Sequence, residues 1–84
     1  MVTMRYFAWV RDKIGKDSEE LELPAAALTA SDLIDWLAEQ GDEYAFLSEQ
    51  KLVVRLAVDQ QLVALDEEIG NGTEIAVFPP MTGG

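Results

Sequence analysis

Thr29-Ala30-Ser31-Asp32-Leu33-Ile34-Asp35-Trp36-Leu37-Ala38-Glu39-Gln40-Gly41 is the stretch of this chain in which apolar residues keep helical spacing longest. Leu33, Ile34, Leu37 and Ala38 form one stripe, Asp35, Glu39 and Gln40 face away from it, and Trp36 stands at its margin. Thr29 and Asp32 have the spacing of a capping box, with Asp in place of the usual Glu or Gln, which starts the helix. Gly41 is expected to end it in a left-handed conformation. A helix with a single apolar stripe needs a surface to lie on, so the fold turns on what flanks it.

Toward the N-terminus the flanks are strand-like. From Val2 to Phe7 the residues alternate, with Val2, Met4 and Tyr6 on one side and Thr3, Arg5 and Phe7 on the other. Ala8 to Ile14 then places Val10 and Ile14 on one face with Trp9 beside them and Gly15 beyond, as a short helix with a C-terminal glycine would. Asp17 to Leu23 alternates again, Leu21 and Leu23 inward and Glu20 and Glu22 outward, until Pro24 stops it. These two strands read as a hairpin-like pair.

Toward the C-terminus, residues 43–48 predict one more helical turn burying Phe46 and Leu47. Leu52 to Val58 is nearly continuous Val and Leu and reads as an inner strand, with Arg55 its single polar interruption. Asp59-Gln60 turns, Gln61 to Leu65 returns, and Asn71-Gly72 turns again before a last strand, Glu74 to Phe78. Strand, short helix, strand, main helix, turn and three strands is the order of an α+β, β-grasp (ubiquitin-like) domain, with a mixed sheet of about five strands across one main helix. Residues 1–78 are expected to form that domain and residues 79–84 a flexible C-terminal tail ending in Gly83-Gly84. No internal repeat or second domain is visible.

Composition narrows the function. Eighty-four residues with 49% hydrophobic content suffice for one small core. The chain has no Cys and no His, which removes the thiol nucleophile, the commonest general base and the usual metal ligands. An independent enzyme is therefore not expected, nor is a metal site; the run Asp66-Glu67-Glu68 reads as solvated loop carboxylates. Apolar stretches fall far short of the roughly 20 residues a membrane span needs, and the first residues lack a signal-peptide pattern. A soluble, cytoplasmic protein is expected.

Charge is unevenly placed. Arg5, Arg11, Lys13 and Lys16 face one carboxylate, Asp12, in the first sixteen residues, whereas from Asp17 onward Lys51 and Arg55 oppose fifteen. The net charge of −10 repels phosphate backbones and anionic lipid, so neither nucleic acid nor membrane is an expected partner, and a basic protein surface suits it better.

The chain closes on Glu74-Ile75-Ala76-Val77-Phe78-Pro79-Pro80-Met81-Thr82-Gly83-Gly84. Prolines discourage helix and withhold N–H donors, so the segment should leave the sheet extended, and six residues from Pro79 reach about 20 Å at roughly 3.3 Å each. Two glycines present a slim α-carboxylate able to enter a slot that any side chain would block.

This ending resembles the signature tail of the ubiquitin-like sulfur carriers, most closely the small subunits of molybdopterin synthase, with Met81 where Val is frequent. Tyr6-Phe7-Ala8-Trp9-Val10-Arg11 with Ile14-Gly15 is similar to that family's first strand and helix. Val58-Asp59-Gln60-Gln61-Leu62-Val63 is similar to its Val-Asn-Gln-type turn, with Asp59 replacing Asn. The resemblance implies a noncatalytic sulfur-donor subunit in molybdenum cofactor biosynthesis. Its Gly84 would be adenylated and converted to a thiocarboxylate, with Gly83 giving the tail access to the slot. It implies partner contacts through Phe7, Arg11, Leu62, Phe78, Pro79, Pro80, Met81 and Thr82. The partners would be a synthase large subunit, in a heterotetramer, and an E1-like adenylating and sulfurating enzyme that uses ATP; this chain itself would bind no cofactor. Two other fates of the same acyl chemistry stay open: a thiamine-type sulfur carrier, against which the Phe-Pro-Pro-x-Thr tail argues, and a ubiquitin-like modifier joined to lysines.

Overall fold

The computed structural model describes residues 1–24 and 28–80. Strand β1 (Val2–Tyr6) leads into helix α1 (Ala8–Ile14), strand β2 (Ser18–Leu21), helix α2 (Ala30–Ala38), a 3₁₀ turn (Asp42–Tyr44) and the short helix α3 (Phe46–Glu49). Strands β3 (Arg55–Val58), β4 (Gln61–Val63) and β5 (Glu74–Phe78) follow. The sheet order is β2-β1-β5-β3-β4. The central pair, β1 and β5, is parallel, and every other pairing is antiparallel. This is the mixed five-stranded α+β sheet expected from the sequence.

The alternation read in β1 and β5 is realised. Met4, Tyr6, Ile75 and Val77 are buried beneath the helices, joined by Leu56 and Val54, while Leu33, Ile34 and Leu37 of α2 close the core from above. Thr29 accepts from the Asp32 N–H at 3.1 Å and Asp32 accepts from the Thr29 N–H at 3.1 Å, completing the capping box. The next donors of α2 are satisfied by the loop after β4: the N–H groups of Ala30 and Ser31 donate to the carbonyls of Glu67 and Leu65, both at 2.9 Å. Gly15 ends α1 at φ 89°, the left-handed region its place in the sequence predicts.

One connection is carried by a side chain. Glu19 Oε2 accepts from the hydroxyls of Tyr6 and Tyr44, each at 2.7 Å, while Lys16 Nζ approaches Oε1 at 3.2 Å. Burial alone would raise the Glu19 carboxyl, but the bonds from Tyr44, Tyr6 and Lys16 outweigh it and hold the group below its ordinary value. The same burial and the carboxylate neighbour push both tyrosine hydroxyls up, so they remain donors.

Three sequence expectations are corrected. The inner strand begins at Arg55, not Leu52, because the end of α3 continues into a turn in which the N–H groups of Val53 and Val54 both donate to the Gln50 carbonyl. Leu52 and Val53 consequently face solvent, 79% and 38% exposed. Gly41 is not left-handed: its φ of 169° is extended backbone, and α2 ends instead in an αR residue, Glu39. The strands expected over Asp17 to Leu23 and Gln61 to Leu65 are shorter, and β4 ends where the Ala64 N–H turns to the Glu67 carboxylate at 2.9 Å.

Candidate functional site

The helices cover one face of the sheet, and strand register shows what occupies the other. Reading across partners, Glu20, Thr3 and Glu74 form one row. Ser18, Arg5, Ala76, Ala57 and Leu62 form the next. Arg55 lies opposite Phe78, and one step beyond the Tyr6 to Val77 pairing sets Phe7 beside Phe78. The open face thus runs from an acidic end, through small residues, to an end made of Phe7, Phe78 and Arg55. The chain leaves the sheet from this last row, through the half-buried Pro79 and Pro80.

Three of the residues singled out in the sequence therefore share one surface. Leu62 is 67% and Phe7 45% exposed, and Phe78 is half-buried. Period-two alternation turns each of them to the side of its strand that avoids the core, and strand order puts those sides on one face. Phe7 is also the residue that opens α1, and its carbonyl accepts from the Arg11 N–H at 3.2 Å, so Arg11 stands one helical turn from Phe7. Arg11 is exposed and pairs loosely with Asp12 at 3.6 Å. Met81, Thr82, Gly83 and Gly84 lie outside the described residues.

From sequence alone Arg55 is no more than the polar interruption of an inner strand. Its alternation with Leu56 was the signal available, because a strand buried on both faces would not tolerate it. The guanidinium Nη1 donates to the carbonyls of Leu52, Val53 and Val54 at 3.1, 3.2 and 3.2 Å, tying the preceding turn to the sheet. At the other end of β3, Asp59 and Gln60 make the hairpin turn with φ of 48° and 73°, both left-handed. The Asp59 carboxylate accepts from the Glu74 N–H at 3.0 Å and from the Thr73 hydroxyl and N–H at 3.0 and 3.1 Å. These donors hold its carboxyl below the ordinary range and fix where β5 begins.

Chemically, this surface offers contact and no reacting group. Among the described residues no three carboxylates gather as a metal site, and no helix is long and apolar enough to cross a membrane. What the geometry provides is an apolar face beside the root of the terminal segment.

Comparison with known proteins gives that arrangement its family. The model of the ThiS family matches residues 4–84. This chain belongs to the ThiS family. It is 42% identical to the molybdopterin synthase sulfur carrier subunit of Haemophilus influenzae and 39% identical to that of Escherichia coli, in each case over the whole of both chains. Among solved structures, a putative molybdopterin converting factor subunit 1 from Pyrococcus furiosus superposes with a TM-score of 0.66 at 31% identity, covering 95% of this chain and 97% of that one. SAMP1 from Haloferax volcanii superposes with a TM-score of 0.69 at 21% identity over 99% and 98% of the two chains, a likeness of fold. With these relatives this chain shares the ThiS family and the β-grasp architecture.

Proposed function

We propose that this chain is the sulfur carrier of a molybdopterin synthase, with the Gly84 carboxylate as the carrying group. The observation that carries this reading is full-length identity of about two-fifths to sulfur carrier subunits of that synthase, in a chain ending Phe78-Pro79-Pro80-Met81-Thr82-Gly83-Gly84. The absence of Cys and His supports the terminal group, since no side chain here offers a comparable attachment for activated sulfur.

In this cycle a free carboxylate is too poor an electrophile to accept sulfur directly. A separate E1-like enzyme joins Gly84 to AMP at the expense of ATP, and sulfur at the sulfide level displaces AMP to leave a thiocarboxylate. The open face then docks on the synthase large subunit in the cytoplasm, within a heterotetramer. Residues 79–84 enter its active site, and sulfur passes to the pyranopterin precursor as the carboxylate is restored. Phe7, Leu62 and Phe78 supply the apolar contact and Arg11 a polar one at its margin, while Gly83 keeps the last step of the slot free of side chains.

The test is mass spectrometry of the chain incubated with its adenylating enzyme, ATP and a sulfur donor. A gain equal to one oxygen-for-sulfur exchange, localised to Gly84 and lost when the large subunit and pterin precursor are added, is the expected result. An isopeptide bond from Gly84 to lysine would make the chain a protein modifier instead.

A further inference from the structure

The docking face of an acidic protein carries an arginine, Arg55, in its last row, where the terminal segment leaves the sheet. The chain has six cations against sixteen carboxylates, so a cation without a carboxylate is the exception. Arg5 pairs with Glu74, Arg11 with Asp12, Lys16 with Glu19 and Lys51 with Asp35. Among the described residues Arg55 and Lys13 have no such partner, and Lys13 is placed over the Phe46 ring, 5.5 Å from its centroid. Arg55 differs in being held. Three backbone carbonyls at 3.1 to 3.2 Å engage Nη1, and Arg55 is an exposed residue of the row that contains Phe78 and Phe7.

A guanidinium fixed through one nitrogen has its orientation set before any partner arrives, so less side-chain entropy is lost when its other N–H groups bond. Covering the open face with a purely apolar surface would strip water from those donors and leave a charge unpaired, which is costly. Covering it with a surface that bears a carboxylate converts the cost into a charge-assisted pair beside apolar contacts. At the opposite end of the face lie Glu20 and Glu74, the latter paired with Arg5 of the middle row, so the cation of this face that has no carboxylate of its own stands at the tail end.

We infer that Arg55 is a partner anchor: a carboxylate of the synthase large subunit pairs with its guanidinium when the open face docks. This rests on the docking reading above and adds to it the chemistry of the surface that must meet the row formed by Phe7, Phe78 and Arg55.

The experiment is titration binding of the full chain to the purified large subunit, with thermal unfolding of each variant alone. Arg55→Gln is expected to raise Kd by about tenfold to a hundredfold, and Arg55→Lys, with charge but no planar fork, to recover part of that loss. Replacing the large subunit's interface Asp and Glu residues one at a time should reveal one whose loss weakens binding of the native chain and has no further effect on Arg55→Gln. That partner-side series stands even where an Arg55 variant folds poorly. A Kd for folded Arg55→Gln within about twofold of native, full recovery by lysine, or no coupled carboxylate would overturn the assignment while the docking reading stands. Failure of the native chain to bind the large subunit at all would instead overturn the docking reading itself. A native homodimer broken by Arg55→Gln would assign the face to a second copy and also overturn the anchor.

Discussion

The Tyr44 hydroxyl donates to the Glu19 carboxylate at 2.7 Å across twenty-five residues of sequence, fastening the 3₁₀ turn after α2 to the edge strand β2. The Tyr6 hydroxyl donates to the same oxygen, so one carboxylate joins three elements and satisfies two nearly buried phenols. Glu19→Ala leaves both hydroxyls without their acceptor and is expected to cost about 1–3 kcal/mol in denaturant unfolding.

The same group makes stability depend on acidity. Its folded carboxyl titrates below the ordinary value of 4.5, so its contribution is complete above that pH and is lost as pH falls through the lower folded value. Thermal melts from pH 7 down to pH 3 should show a decline in the native chain that is shallower in Glu19→Gln, and equal slopes would remove Glu19 as the source.

Two glycines that look alike in sequence should behave differently. Gly15 is left-handed, so Gly15→Ala is expected to lose about 1 kcal/mol although nothing stands within 4 Å of the added carbon. Gly41 is extended, and its added carbon would meet only the movable Glu43 carboxylate. Gly41→Ala should therefore change stability by less than about 0.5 kcal/mol. A reversed order in the measured unfolding free energies would contradict both backbone assignments.

Most of this fold could be read locally, and the errors are instructive. The capping box and the Gly15 stop depend on neighbours in sequence, and each occurs, as do the limits of β5, where the residues indicate. Leu52 and Val53 misled because hydrophobicity alone cannot distinguish a buried strand from an apolar turn; the continuation of α3 past Gln50 decides that. Lys16 is the single local partner of Glu19; the two hydroxyls it accepts from belong to β1 and the 3₁₀ turn, which the sequence does not place beside it. At the candidate site, alternation places Phe7, Leu62 and Phe78 away from the core, but only strand order sets Phe7 beside Phe78 and Leu62 on the same sheet face beyond β3.

Because Leu62 is exposed and flanked by the small Ala57, a charge there should leave the fold intact and damage only docking. Leu62→Glu is expected to weaken large-subunit binding by about 2 kcal/mol or more while circular dichroism and melting temperature stay native. Parallel loss of folding would return Leu62 to the core.

Among the described residues the buried core ends at Val77, so chemistry beyond Phe78 should be separable from stability. One residue added after Gly84, or a bulky residue at Gly83, is expected to abolish sulfur transfer in a reconstituted assay with unfolding unchanged. Full product formation by the extended chain would exclude the terminal carboxylate as the carrier.

Strand β5 is the last in sequence and the middle one in the sheet. Its parallel bond with β1 joins the two ends of the chain, a closure among the slowest kinds of contact to form. During synthesis β5 therefore emerges only after both strands it must insert between, β1 and β3, have been made. Until that insertion, Phe78 has no Phe7 or Arg55 beside it, and a partner that requires the assembled row would reject nascent or misfolded chains without any separate inspection step.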